Sequence, residues 1–328
     1  MAPKVEAAKE FLIETKLHRA ALDRLLDKRG VAVLKRLYDQ GQDQLVATLF
    51  QMVRAERKVE PLNIFQLRQL MTKVREAQAK LAADLAANLE PISREAQAEG
   101  IRQVDRTITK SERRFVGGII TLPILEVATF NGLIDKRTDA LRAANRRAMA
   151  RSGTNLVARI EEALTVAVAA KEEPVEAITR VQDVIESDWW RSARAVRTSL
   201  AAAFNFGHTD AVDMASDGVT DLYKRWTELV DDLTGQPLDS RVGKDSIVLH
   251  GQVAKPQNVF TMPPDPRCHP SWWGQTWTQS PNRPNDRSVT MPWRPQWGIP
   301  GWEWNGSARV PITASRPHGV QTVGDVTE

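Results

Sequence analysis

From residue 1 to about residue 215, apolar side chains return at helical spacing; from about Leu222 onward that spacing stops. No other feature limits the possible folds as strongly. The first part is dominated by alanine, leucine, arginine, glutamate and glutamine, all good helix formers. The remainder holds eight of the ten tryptophans and most of the prolines. A chain with this change of pattern is expected to be α+β and mainly α. A helical N-terminal half should precede a small α+β domain with a long irregular Pro/Trp-rich C-terminal segment.

In FLIETKLHRAALDRLL the apolar positions Leu12, Ile13, Leu17, Ala20, Ala21 and Leu25 recur at helical spacing, with Asp23 and Lys28 opposite. Gly30 is expected to end this helix. A second is predicted from Val31 to Lys58, before Pro61, and a third from Ile64 to Leu89, ended by Pro91. Ser93 to about Arg114 reads as a fourth. After the apolar stretch 115–134, Lys136–Arg151 is again helical, SGTN reads as a break, and Leu156–Lys171 follows. Pro174 suits the first turn of the next helix. Asp188 can cap a further helix that begins at WWRSARAV.

The stretch 115–134 contains Pro123, Glu126 and Asn131, so its uncharged run is short for a membrane span. It is expected to be buried or to meet a partner, without stable membrane insertion. The charged, amphipathic N-terminus is unlike a secretory signal. Cys268 is the only cysteine, which excludes an intramolecular disulfide and a cysteine-cluster zinc site.

In the second part, LYKRWTELV and SIVLHGQV read as strands, with the turn-rich DDLTGQPLDS between them. Residues 262–305 are irregular and rich in Pro, Trp, Asn and Arg, and residues 312–328 read as an extended tail. So many aromatic side chains need burial or a partner surface. Trp272, Trp273, Trp277, Trp293 and Trp297 are the interface candidates, since interfaces favour Trp and Arg.

The net charge is only +4, but residues 102–151 carry eleven basic against five acidic side chains. Arg102, Arg106, Lys110 and Arg113 share one helix face, and Arg142, Arg146 and Arg147 form a second cluster. These residues could meet a phosphate backbone, or an acidic partner, or solvent alone. His250 could act as a general base, or bond a turn backbone beside Gly251; the second reading needs no partner group. His250, Cys268 and His269 lack the paired spacing of a zinc site. Asp231, Asp232 and Asp239 lack the alternation of a calcium loop and suit turns better. No catalytic residue, cofactor or metal is expected.

Residues 224–263 as a line, KRWTELVDDLTGQPLDSRVGKDSIVLHGQVAKPQNVFTMP, resemble the phage head morphogenesis family, the minor head proteins similar to the F protein of phage Mu. The elements that carry the resemblance are Trp226, Asp231, Asp232, Thr234, Asp239, Arg241, His250, Gly251, Phe260 and Pro263. Many members have an Arg-Thr-Glu step in the preceding helix, where this chain reads Arg197, Thr198, Ser199. Many also close on an Asn-Cys-Arg-Cys element, where this chain has Asn285, Asp286, Arg287 and no cysteines. The resemblance spans about residues 188–300. It implies a helical region 1–187, a head-morphogenesis-like α+β domain 188–305 and a tail 306–328.

What the resemblance implies is a structural virion protein at or near the portal vertex, assembled in the host cytoplasm and present in multiple copies. Its partners would be the portal protein and the major capsid or scaffolding protein, with packaged DNA as a further contact. Two other classes compete: an enzyme or toxin-like domain of nuclease or transferase type, and a sequence-independent nucleic-acid-binding protein. The chain has no Gly-rich phosphate loop of the G-x-x-x-x-G-K-[ST] kind.

Overall fold

The computed structural model describes residues 3–55, 64–116, 125–228, 230, 244–279 and 288–312. The fold is mainly α with a small sheet region near the C-terminus. Helix α1 (Pro3–Asp23) continues through a π-helical turn (Arg24–Val31) into α2 (Ala32–Ala55). Then come α3 (Ile64–Val116), α4 (Asn131–Ala169) and α5 (Pro174–Ser216). Long helix α3 lies at the centre of the bundle, against α1, α2, α4 and α5.

Several expected breaks are absent, and each has a packing reason. Gly30 does not end a helix: a Cβ there would lie 2.2 Å from Leu200 Cδ1 and 3.1 Å from Val196 Cγ1, so the glycine lets α5 approach the π-helical turn. Pro91 lies inside α3. It removes the bond to the carbonyl of Ala87, but both residues are exposed, so water can take that carbonyl's place. Buried Leu85, Leu89, Ile92 and Ala96 hold the turns on either side of it. SGTN is likewise interior to α4, where Leu156, Ile160 and Leu164 are buried just beyond it. Local propensity is a weak prior against that much buried surface.

Pro174 does open α5, in the first turn as its fixed φ favours. Glu173 and Glu176 close a reciprocal capping box there. Asp188 caps nothing. It is buried at mid-helix, accepting from Ser152 Oγ at 3.2 Å and Tyr38 OH at 3.4 Å. The boundary drawn at 187/188 therefore falls inside α5.

The main sheet has order β2-β1-β5, all antiparallel, from β1 (Tyr223–Thr227), β2 (Val253–Ala254) and β5 (Val289–Trp293). Pro292 fits because β5 is an edge strand. Two further two-stranded ladders join β3 (Phe260–Thr261) to β4 (Thr276–Trp277) and β6 (Trp302–Trp304) to β7 (Arg309–Pro311). SIVLHGQV is not one strand. Lys244–Leu249 forms the short helix α6, His250 and Gly251 turn, and only Val253–Ala254 pairs. The segment read as irregular contains the five-residue strand β5, and the expected tail 306–328 contains β7.

One core runs through both parts. It joins Phe11, Leu22, Val104, Leu200 and Phe204 of the bundle to Val289, Met291, Trp293 and Trp297. A second, smaller cluster lies under the β1–β2 edge and contains Trp226, Val248, Leu249, Phe260, Met262 and Cys268.

Candidate functional site

Four residues of the resemblance meet at one turn. Trp226 on β1 is fully buried, with its ring edge-to-face on Phe260 at 5.3 Å. Its carbonyl accepts the N–H of Gly251 at 2.9 Å, and its indole N–H bonds Glu228 Oε1 at 2.9 Å. His250 Nδ1 accepts the backbone N–H of Glu228 at 3.1 Å. Trp302 Nε1 donates to the His250 carbonyl at 3.0 Å, which ties β6 to the same turn. Gly251 sits at φ +80°, and a Cβ there would crowd the Trp302 indole at 3.3 Å, so two requirements select glycine. Asp231, Asp232, Thr234, Asp239 and Arg241 lie outside the described residues.

The Cys268 thiol is buried and donates to the Asp265 carbonyl at 3.3 Å. His269 Nδ1 faces away, capping the turn at Ser271. Among the described residues no cluster of three or more His, Cys, Asp or Glu could hold a metal. Asp265 is held near pKa 2 by Arg267, with Arg309 as a second cation. Lys224 is lowered to about 8 by burial, and its ammonium donates to the Thr278 carbonyl at 2.7 Å.

The tryptophans separate into two groups. Trp293 and Trp297 are fully buried inside this chain, so neither can anchor a partner. Their indole N–H groups bond Ile299 O at 3.0 Å and Glu112 Oε1 at 2.6 Å. Trp272 and Trp277 stack on each other at 6.1 Å and are partly buried, whereas Trp273 is exposed. The most exposed tryptophan described, Trp190 on α5 at 68%, was not among the sequence candidates.

Most of the expected basic face is already neutralised. Arg106 and Lys110 converge on Glu14 of α1, a carboxylate with no exposure, at 2.5 and 2.8 Å. Arg102 pairs with Glu99, and Arg142 with Glu90 and Asp139. Arg113, Arg146 and Arg147 are exposed and form no ion pair among the described residues. Sequence reading treats these seven cations alike because the carboxylates that engage Arg106 and Lys110 lie more than 90 positions away.

The bundle also holds a buried polar seam with no sequence prediction. His18 Nε2 donates to Gln103 O at 3.1 Å and touches Thr107 Oγ1 at 3.0 Å, which makes Nε2 the protonated nitrogen. The His208 ring stacks on it, 4.7 Å between centroids and 17° between planes. Neither His208 nitrogen, nor His18 Nδ1, has a hydrogen-bond partner among the described residues. Burial drives the His208 pKa down to about 3. Burial also lowers that of His18, helped by His208 and by Arg106 and Arg19.

Glu112 ends the seam by receiving both Trp297 and Arg294, the latter at 2.5 Å. Glu112→Ala should therefore lower stability in a urea titration by about 3 kcal/mol, because it strands a buried guanidinium and an indole N–H. Glu112→Gln, which keeps an acceptor, should cost less.

No helix among the described residues is long and apolar enough to cross a membrane. Compared with known protein families, with characterised proteins and with solved structures, the chain shows no significant match to any of them.

Proposed function

We propose that the chain is a phage minor head protein at or near the portal vertex, acting structurally in head assembly and in the packaging, retention or delivery of DNA. The observation that carries this reading is the convergence of Trp226, His250, Gly251 and Phe260 on one turn. Each contributes a ring or a backbone bond to the packing, as residues that define a fold would. The His250 imidazole, the most chemistry-like group among them, has its Nδ1 lone pair occupied by a backbone N–H. The long helices would then supply the contacts with portal, major capsid or scaffolding protein.

The decisive experiment is mass spectrometry of purified particles before and after DNA removal, with electron microscopy of the portal vertex. The protein should be found in mature particles. If it occurs only in assembly intermediates, the reading fails.

Of the seven cations expected to meet a phosphate backbone, Arg113, Arg146 and Arg147 form no ion pair among the described residues. Contact through these three would give a log–log salt slope of about −3, from about −0.9 per neutralised phosphate. A much steeper slope would favour a dedicated nucleic-acid-binding protein instead.

A further inference from the structure

Helix α4 and the start of α5 divide their charge into two blocks. Residues 136–151 hold six cations against one carboxylate, whereas residues 160–187 hold seven carboxylates against two cations. The second block forms the tip where α4 ends and α5 begins. Glu162, Glu173 and Glu176 are exposed there and form no ion pair among the described residues. The same tip exposes two aliphatic side chains, Val166 at 47% and Val175 at 56%.

The first block borders a groove between α3 and α4. Two adjoining cavities of about 350 and 360 Å³ share Ala82. Their lining is mostly small and apolar, with Ala79, Ala82, Ala83, Ala87 and Gly153 beside the polar Gln78, Thr154 and Glu90. Of the arginines at the rim, Arg75 pairs with Glu161 and Arg142 with Glu90 and Asp139, and Arg146 forms no ion pair among the described residues. A Cβ added to Gly153 would meet only Gln78 Oε1, at 3.7 Å, so space remains above it. From Arg75 to Glu90 the groove follows about four helical turns, roughly 22 Å.

We propose that this groove receives the α4–α5 tip of a second copy of the chain. Val166 and Val175 would fill the alanine floor, and a carboxylate of the tip would face Arg146, the rim arginine with no ion pair among the described residues. The lining is largely apolar and holds the Glu90 carboxylate beside Arg142, which favours a helical occupant over a phosphate backbone. Groove and tip are different patches that adjoin at the Arg75–Glu161 pair. A one-way contact between them leaves one of each free on every dimer and builds rings or filaments. The proposal goes beyond the particle reading and holds whether or not the chain belongs to a virion.

Sedimentation velocity from 1 to 200 µM of the full chain tests it (a range set for micromolar contacts). Self-association should rise with concentration at about 50 mM NaCl and weaken severalfold at about 500 mM. Ala83→Trp, which blocks the groove, and the pair Glu162→Lys with Val166→Lys, which spoils the tip, should each weaken it at least tenfold. Mixed together, these two variants should associate again but stop at dimers, since only one intact groove and one intact tip remain. Arg146→Glu replaces Ala83→Trp if the latter fails to fold, as judged by circular dichroism. A chain that stays monomeric at low salt overturns the proposal, as does association untouched by the variants. Failure of the mixture to associate overturns it too, because a symmetric contact would behave that way. Duplex DNA binding that Ala83→Trp abolishes in a monomeric chain would assign the groove to nucleic acid.

Discussion

Gly207→Ala is expected to be the most damaging single-methyl change in the molecule. A Cβ at that position would lie 2.1 Å from the carbonyl oxygen of Gln97 and 2.8 Å from its carbon. Gly100 faces the same crossing, where a Cβ would come within 2.3 Å of the Phe204 oxygen. Both obstacles are backbone atoms of packed helices, so no side chain can rotate away. Helices α3 and α5 must separate, and the core around Phe204, Val104 and Leu200 loses contact along the seam. Overpacking costs about 1–3 kcal/mol where side chains can adjust, and more is expected here. The urea midpoint should fall sharply, or the protein should be recovered unfolded. Gly41→Ala provides the contrast. It lies in α2 with nothing within 4 Å of its would-be Cβ. That change should raise stability by about 0.4–1 kcal/mol, by restricting the unfolded chain. A Gly207→Ala protein as stable as the parent would contradict the α3–α5 crossing.

Acid should weaken the fold well before its carboxylates titrate. His18 and His208 are neutral in the native bundle, because burial lowers both pKa values, that of His208 to about 3. In the unfolded chain each imidazole takes up a proton near its ordinary pKa of about 6.5. Below that pH the unfolded state binds more protons than the native state, so stability falls as pH falls. The stabilisation is fully present above about pH 7 and is progressively lost below the unfolded value. Each histidine then contributes a slope approaching about 1.4 kcal/mol per pH unit, so the pair can remove about 2–3 kcal/mol per unit. That is a large share of a typical folding free energy.

The groups facing the imidazoles reinforce this sign. Arg106 and Arg19 repel a second cation, and Phe204 lies edge-on to His208 at 4.5 Å. The neutral partners, Gln103 O and Thr107 Oγ1, bond only His18 Nε2. His208→Phe keeps a ring in the stack and removes two unpartnered nitrogens. It should roughly halve the slope between about pH 6 and 5 without loss of stability at pH 7.5, as measured by urea titrations across that range. A stability that is flat between pH 6.5 and 5 in the parent protein would refute the buried neutral pair.

The two predictions rest on features with different visibility in the chain. Glycines 100 and 207 each sit in an ordinary helical run, and nothing nearby marks them as a crossing point. His18 leaves a faint trace: it lies seven positions after Phe11 and four after Glu14, on one helical stripe. Polar residue types hid that stripe. The apolar spacing points to Leu12, Ile13, Leu17, Ala20, Ala21 and Leu25; Ala21 and Leu25 are buried, yet Ile13 and Leu17 are 50% and 42% exposed. The buried face of α1 is Ala7, Phe11, Glu14, Thr15, His18, Ala21 and Leu22. Glu14 belongs there because α3 supplies Arg106 and Lys110, and a buried charge is tolerable when paired.

Around Trp226 the sequence was more informative. The resemblance draws Trp226, His250, Gly251 and Phe260 together, and they meet at one turn. Their spacing does not reveal that His250 follows a helical turn rather than a strand, because a three-residue apolar run suits either.

By itself, the sequence determined the class of fold: helix formers at helical spacing over two thirds of the chain, then tryptophan, proline and short strands. It also determined the start of α5 at Pro174, which local stereochemistry sets, and the strand at Trp226. Only the tertiary structure decided where helices do not end. Gly30, Pro91 and SGTN carry local signals to stop and Asp188 a signal to start, each worth at most a few kcal/mol. Burial of long apolar faces against α3 and α5 outweighs them. It likewise decided which cations are committed and which tryptophans are core, because the partners of Arg106, Lys110 and Trp297 lie far away along the chain.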